Sequence, residues 1–151
     1  PRVPMSTFSK PSEPTLPRNC RRHYKWNVSN VTSMNYMFRD AQSFNQSLNK
    51  WNVSNVTSME LMFMGASSFN QPLNKWNVSN VRRMRRMFNH ANSFNQPLNN
   101  WNVSRVTNMG AMFAGARSFN QPLNDWDVSR VRTMWYQEDE SDQTDSDSES
   151  E

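Results

Sequence analysis

Very little in this chain is equipped for covalent or redox chemistry. It has one cysteine, Cys20, so no internal disulfide can form, and the residue reads as an incidental surface thiol. Only three glycines are present (Gly65, Gly110 and Gly115), which excludes a glycine-rich phosphate loop. No stretch approaches the ~20 apolar residues of a membrane span. No basic start followed by an apolar core is visible, so no secretory signal is expected, while the start at Pro1 leaves an upstream segment open. Acids are scarce before residue 137, where only Glu13, Asp40, Glu60, Asp125 and Asp127 occur. The two histidines, His23 and His90, lie far apart and lack ligand-spaced neighbours. Catalysis needs groups of tuned pKa held near one another. The expectation is therefore a protein without catalytic residues, cofactor or metal site, in which Asp125 and Asp127 form a solvated edge. Apolar residues are also few, at 35% with a mean hydropathy of −0.93, which by itself hints at partial disorder.

The apolar residues that do occur are strictly placed. Trp26, Trp51, Trp76, Trp101 and Trp126 recur every 25 residues without an insertion. Self-similarity at a fixed period is the signature of a stacked-repeat architecture. Composition then divides the chain into three zones. Residues 1–25 form a proline- and arginine-rich arm, residues 26–136 a five-coil array, and residues 137–151 an acidic tail expected to be disordered. At 151 residues there is one domain's worth of chain.

The second coil illustrates the repeat. Leu48, Trp51 and Val53 have the L-x-x-L-x-L spacing of a leucine-rich-repeat inner strand. Alternation there turns Trp51 and Val53 inward and leaves Lys50, Asn52 and Ser54 outward. Val56, Met59, Met62, Phe63 and Ala66 then follow a three-to-four spacing, which predicts a short helix with Thr57 and Glu60 as a capping box. Phe69 and Leu73 return the chain to the core through an Asn-Gln-Pro turn. One repeat cannot bury its own apolar face, so columns such as Phe44, Phe69, Phe94 and Phe119 should stack. The asparagine column Asn45, Asn70, Asn95 and Asn120 should bond backbone in turns or form a ladder. The expected fold is a right-handed, leucine-rich-repeat-like solenoid with one short parallel β-strand and one short helix per coil.

Val-Ser-Asn-Val-Thr, Met-x-x-Met-Phe and Ser-Phe-Asn-Gln-Pro-Leu-Asn followed by Trp resemble the repeats of the BspA-like leucine-rich-repeat surface proteins and related mycoplasma-type lipoproteins. The likeness covers about residues 26–134. It implies a solenoid used for adhesion or protein binding, placed on a cell surface or secreted, and it implies no catalytic residues. The chain departs from the surface-protein pattern in having no lipobox before Cys20, which leaves a virion-associated or intracellular setting open.

Charge is the remaining feature. All 17 basic residues precede residue 137 against five acids, a difference of +12, while the tail carries eight acids and no base. Arg82, Arg83, Arg85 and Arg86 form the densest cluster and should project from a helix start, where added positive charge is unfavourable. The expected role is a non-catalytic protein-binding or structural scaffold, of surface-adhesion or assembly type, with a basic body coupled to its acidic tail. Its partner-binding face would comprise Lys50, Asn52, Ser54, Lys75, Asn77, Ser79, Asn100, Asn102, Ser104, Asp125 and Asp127. Self-association is expected through the end of the array, where Trp135 and Tyr136 follow the last repeat. The competing reading, ranked last, is binding of nucleic acid or another polyanion through the basic arm and Arg82–Arg86. Against it, the aromatic residues occupy core phases and are not free to stack on bases. Thr144, Ser146 and Ser148 each precede an acid by three residues and are candidate phosphorylation sites. The Asn-x-Ser/Thr matches within the repeat, such as Asn52 and Asn77, read as turn chemistry.

Overall fold

The structure, a computed structural model, describes residues 26–133. Coils 1 to 4 comprise 26–50, 51–75, 76–100 and 101–125, and the described part of coil 5 is 126–133. Residue i of one coil sits beside residue i+25 of the next, as the isolated parallel bridges Ser33–Ser58, Ser58–Arg83, Arg83–Asn108 and Asn108–Thr133 record.

Two of the expected elements do not form. Among the described residues there is no helix and no continuous strand. The segment expected to be helical, Val56–Ala66, instead carries the coil-to-coil backbone ladder. Met59, Leu61, Phe63 and Gly65 donate their N–H groups to Arg83, Arg85, Met87 and Asn89 at 2.8–2.9 Å. The carbonyls of Ser58, Glu60, Met62 and Met64 accept in the same way from Met34, Tyr36, Phe38 and Asp40. Each of these peptide units thus points its carbonyl to the coil before and its N–H to the coil after.

The intervening N–H groups close local turns. Met62 donates to Met59 O, Met64 to Leu61 O and Ala66 to Phe63 O, all three residues back and at 3.0–3.3 Å. A string of such turns brings every third or fourth side chain to the same side, which is why the spacing of Val56, Met59, Met62 and Ala66 imitates a helix. A helix would need each N–H to reach the carbonyl four residues back, and half of these groups are committed to neighbouring coils. Thr57 and Glu60 consequently form no capping box. Thr57 Oγ1 donates to Thr32 O, and the Glu60 N–H donates to Asn35 Oδ1 at 2.9 Å.

The backbone bends by left-handed residues at two phases. Tyr36, Leu61, Arg86 and Ala111 occupy one, and Asp40, Gly65, His90 and Gly115 the other, with φ between 52° and 70°. Around Leu48–Val56, where a strand was expected, Trp51 donates to Leu48 O and Val56 to Val53 O, so this stretch is two turns flanking an extended Trp-Asn-Val.

The core is one continuous stack. Phe38, Phe63, Phe88 and Phe113 lie 5.5–5.6 Å apart in near-parallel planes. Phe44, Phe69, Phe94 and Phe119 form a second column at 5.8–6.0 Å. Within a coil the two columns meet at 4.1–4.2 Å, as in Phe63–Phe69 and Phe88–Phe94. Offset ring pairs of this kind contribute about 0.5–1.5 kcal/mol each beyond burial. Trp76, Trp101 and Trp126 close a third side, each donating Nε1–H to the carbonyl of Leu48, Leu73 or Leu98 at 2.9–3.0 Å. At the far end Phe113, Phe119, Leu123, Trp126, Val128 and Val131 are only partly buried.

Candidate interaction surfaces

Most polar side chains near the core are committed to joining coils. The Oδ1 atoms of Asn45, Asn70 and Asn95 accept the backbone N–H of Asn70, Asn95 and Asn120 at 2.9–3.0 Å. The same oxygens accept Nε2–H from Gln71, Gln96 and Gln121 at 3.0–3.1 Å. Asparagine is suited to this because its short amide reaches a neighbouring backbone while tolerating turn geometry. Two further columns share the work. Asn49 Oδ1 accepts the Lys75 N–H, and the Asn55 and Asn80 amides donate to Ser29 O and Ser54 O at 2.7 Å. Their recurrence at fixed phases was the signal for them in the sequence.

The expected partner face lies on both sides of the buried tryptophans. Lys50, Lys75, Asn100 and Asp125 occupy equivalent positions in successive coils and are all exposed. Asn52, Asn77, Asn102 and Asp127 are exposed as well, with Ser54, Ser79 and Ser104 half-buried behind them. These pairs bond each other: Asn52, Asn77 and Asn102 accept the backbone N–H of Ser54, Ser79 and Ser104 at 3.1–3.2 Å and their hydroxyls at 2.7 Å. Asn-Val-Ser is thus an Asx turn repeated down the stack. Asp127 takes the same place in coil 5, accepting the Ser129 N–H at 3.0 Å. The Ser129 hydroxyl, then its N–H, and last the charge of Arg130 hold the Asp127 carboxyl below its usual value. Asn100 and Asp125 are tied down too, through Asn74 O at 2.7 Å and Asn99 Oδ1 at 3.1 Å.

The four clustered arginines do not share one outward face. Arg82 and Arg83 are exposed, whereas Arg85 and Arg86 are half-buried along the ladder. They begin no helix, so a helix dipole does not oppose them; their backbones are ladder members instead. Arg83 approaches Glu60 at 4.0 Å with its own side chain 64% exposed, a contact of little energetic consequence. The stack brings other arginines close by. Arg132 is in the column of Arg82, and Arg105 and Arg130 share the neighbouring column of Asn55 and Asn80. Arg105 reaches back to Asn80 Oδ1 at 3.0 Å.

Thr144, Ser146 and Ser148, the arm 1–25, the tail 137–151, and Trp135 and Tyr136 lie outside the described residues. Among the described residues no group of three His, Cys, Asp or Glu side chains converges as a metal site would require. No helix among them is long and apolar enough to cross a membrane.

Coils of equal length, a backbone ladder between neighbours and stacked aromatic columns define a repeat protein. The family described as "Mycoplasma protein of unknown function, DUF285" matches residues 18–91 and 48–150, and the chain belongs to it. No curated protein and no solved structure matches the chain.

Proposed function

We propose that this chain is a non-catalytic scaffold, a leucine-rich-repeat-like solenoid of the BspA-like surface type, which binds a protein partner in adhesion or assembly. The observation that carries this reading is the row Lys50, Lys75, Asn100 and Asp125, exposed in successive coils and changing from basic to acidic along the stack. Its supports are fixed: coil-to-coil amide bonds and the Asx turns hold the backbone on either side, so the row needs little ordering to bind. A graded row recognises a partner in one orientation, because the reversed partner meets like charge.

The test places a photo-crosslinking residue at Asn77 and, in a second variant, at Gln96 in another column, both in the full chain in its source cell. A discrete crosslinked partner at Asn77 that is absent at Gln96, and is weakened by Lys50→Asn with Lys75→Asn, supports the reading. Equal crosslinking at both positions, or none at Asn77, sinks it.

A second reading, binding of nucleic acid or another polyanion, is favoured by the exposure of Arg82 and Arg83. It requires retention of the full chain on heparin or duplex DNA with a steep salt dependence, since neutralised phosphates release counterions.

A further inference from the structure

The exposed arginines of the last coils form a surface that no single repeat displays. Arg105 and Arg130 are neighbours in one column, and Arg82 and Arg132 occupy the adjacent one with Thr107 between them. Backbone bonds fix this order: Thr107 donates to Arg82 O at 2.8 Å and Arg132 to Thr107 O at 2.9 Å. Parallel neighbours are separated by about 4.8 Å, so the group spans roughly 10 Å along the stack. Arg83 stands next to it, exposed. That is close to a Debye length at physiological salt, so the charges act as one patch.

The coil itself does not require these arginines. The phase of Arg82 and Arg132 is filled by Thr32, Thr57 and Thr107 elsewhere, and that of Arg105 and Arg130 by Asn30, Asn55 and Asn80. Thr57 and Thr107 use the phase well, donating Oγ1–H to Thr32 O and Arg82 O at 3.2 Å. In coils 3 to 5 uncharged residues that fit have given way to like charges held close together. Among the described residues the ion pairs are Arg39–Asp40 and the long Arg83–Glu60 contact. Asp127 lies beside Arg130 but is bonded first to Ser129. The stripe therefore carries positive charge that the described body does not neutralise.

We propose that this stripe, Arg82, Arg83, Arg105, Arg130 and Arg132, is the seat of the chain's own acidic segment, residues 137–151. Three observations select that occupant. The segment holds eight acids and no base, the complement of the patch. It begins four residues after Thr133, which is bridged to Asn108 next to the stripe. Eighteen residues follow Thr133, a reach of at most about 60 Å when extended, far more than the patch requires. A short tether gives a high local concentration of acid, so many weak contacts suffice without a fixed conformation. The body is then self-screened, and an external polyanion binds only by displacing the segment.

The test uses the full chain with Cys20→Ser and a nitroxide attached at Ser150→Cys. Amide signals of Arg105, Thr107 and Arg130 should lose at least half their intensity at low salt, and regain it at 0.5 M NaCl. The same labelled chain carrying Arg82→Thr, Arg105→Asn, Arg130→Asn and Arg132→Thr should show no selective loss. Each of these substitutions installs the residue another coil uses at that phase, and unchanged Trp76 and Trp101 indole signals show that the fold is kept. Loss spread evenly over the body, persistence in the fourfold variant, or no loss at any salt overturns the proposal. Broadening that grows with protein concentration also overturns it, assigning the seat to the tail of a second copy.

Discussion

Asparagine does different work at different phases of this repeat, and the phase decides which. Asn45, Asn70 and Asn95 bridge coils through a single oxygen that accepts two hydrogens, whereas Asn52, Asn77 and Asn102 fold back on the serine two residues on. The sequence pointed to turns and ladders at the first set. It placed the second on an outward strand, because alternation around a tryptophan looks the same in a strand and in an Asx turn. Asp127 tests the turn directly. Its carboxyl is held below the ordinary aspartate value, chiefly by the Ser129 hydroxyl. A carboxyl depressed in the folded state adds stability above its unfolded pKa, and that contribution is lost as pH falls through the folded value. The Ser129 amide resonance should therefore titrate below the ordinary aspartate range. Asp127→Asn should abolish that titration and keep the turn, since asparagine fills this place in the preceding coils. A Ser129 amide that titrates equally in the variant would refute the assignment.

At the scale of the element, the misreading of Val56–Ala66 as a helix has a clear physical origin. Reverse turns closed three residues back and a helix expose nearly the same apolar spacing, and only the destination of the remaining N–H groups separates them. In this segment they go to the next coil. That choice requires left-handed residues at two phases, and the glycines mark one of them. Gly115 has φ of 70°, and a Cβ there would come within 2.5 Å of His90 Nδ1 and 2.7 Å of its Cε1. Gly115→Ala should cost about 1–3 kcal/mol, the usual penalty of a strained backbone, compounded by this contact. Urea denaturation reads it, and adding His90→Ala, which removes the ring and keeps a side chain at that left-handed position, should recover the steric part alone. An unchanged midpoint for Gly115→Ala would mean that the ladder does not impose this geometry. The glycines thus carried the strongest local clue to the ladder; Tyr36, Leu61 and Arg86 at the companion phase gave none, since none of these residue types favours positive φ.

For the whole molecule, periodicity was fully legible and the internal path of each coil was not. The tryptophan ruler fixes which residues stack, and Phe63 on Phe88 or Trp76 on Trp101 follow from it directly. It does not say which stretch of the coil bonds to its neighbour, because every phase recurs equally. The arginine patch was only half visible for the same reason. Arg82 and Arg83 stand out as a cluster in the sequence, while Arg105, Arg130 and Arg132 join them only when coils are stacked. Since each coil contacts only the ones beside it, stability should be close to a sum over coils and interfaces. Removing residues 51–75 should leave a folded, cooperatively melting chain of lower Tm, since the register of i with i+25 is restored across the junction. Removing 51–62 sets tryptophan against the ladder phase and leaves only coils 3 to 5 in register, so its Tm should fall well below that of the first deletion. Equal melts for the two deletions would argue against stacking in this register.

The peptides that join the coils run in two directions, which gives the stack an electrical character unlike that of a helix. Peptide units 58–59, 60–61, 62–63 and 64–65 all align, and their counterparts in coil 3 do likewise. The N–H groups of Thr57, Ser68, Arg82, Ser93, Thr107 and Ser118 point to the coil before instead, so peptide dipoles of about 3.5 D oppose one another along the axis, where in a helix they add. Neither end therefore becomes a pole of the kind a helix terminus presents. Two such rods lying side by side gain no orientation from a backbone dipole, so any preference between parallel and antiparallel contact has to come from side chains, such as the exposed row that runs from Lys50 to Asp125.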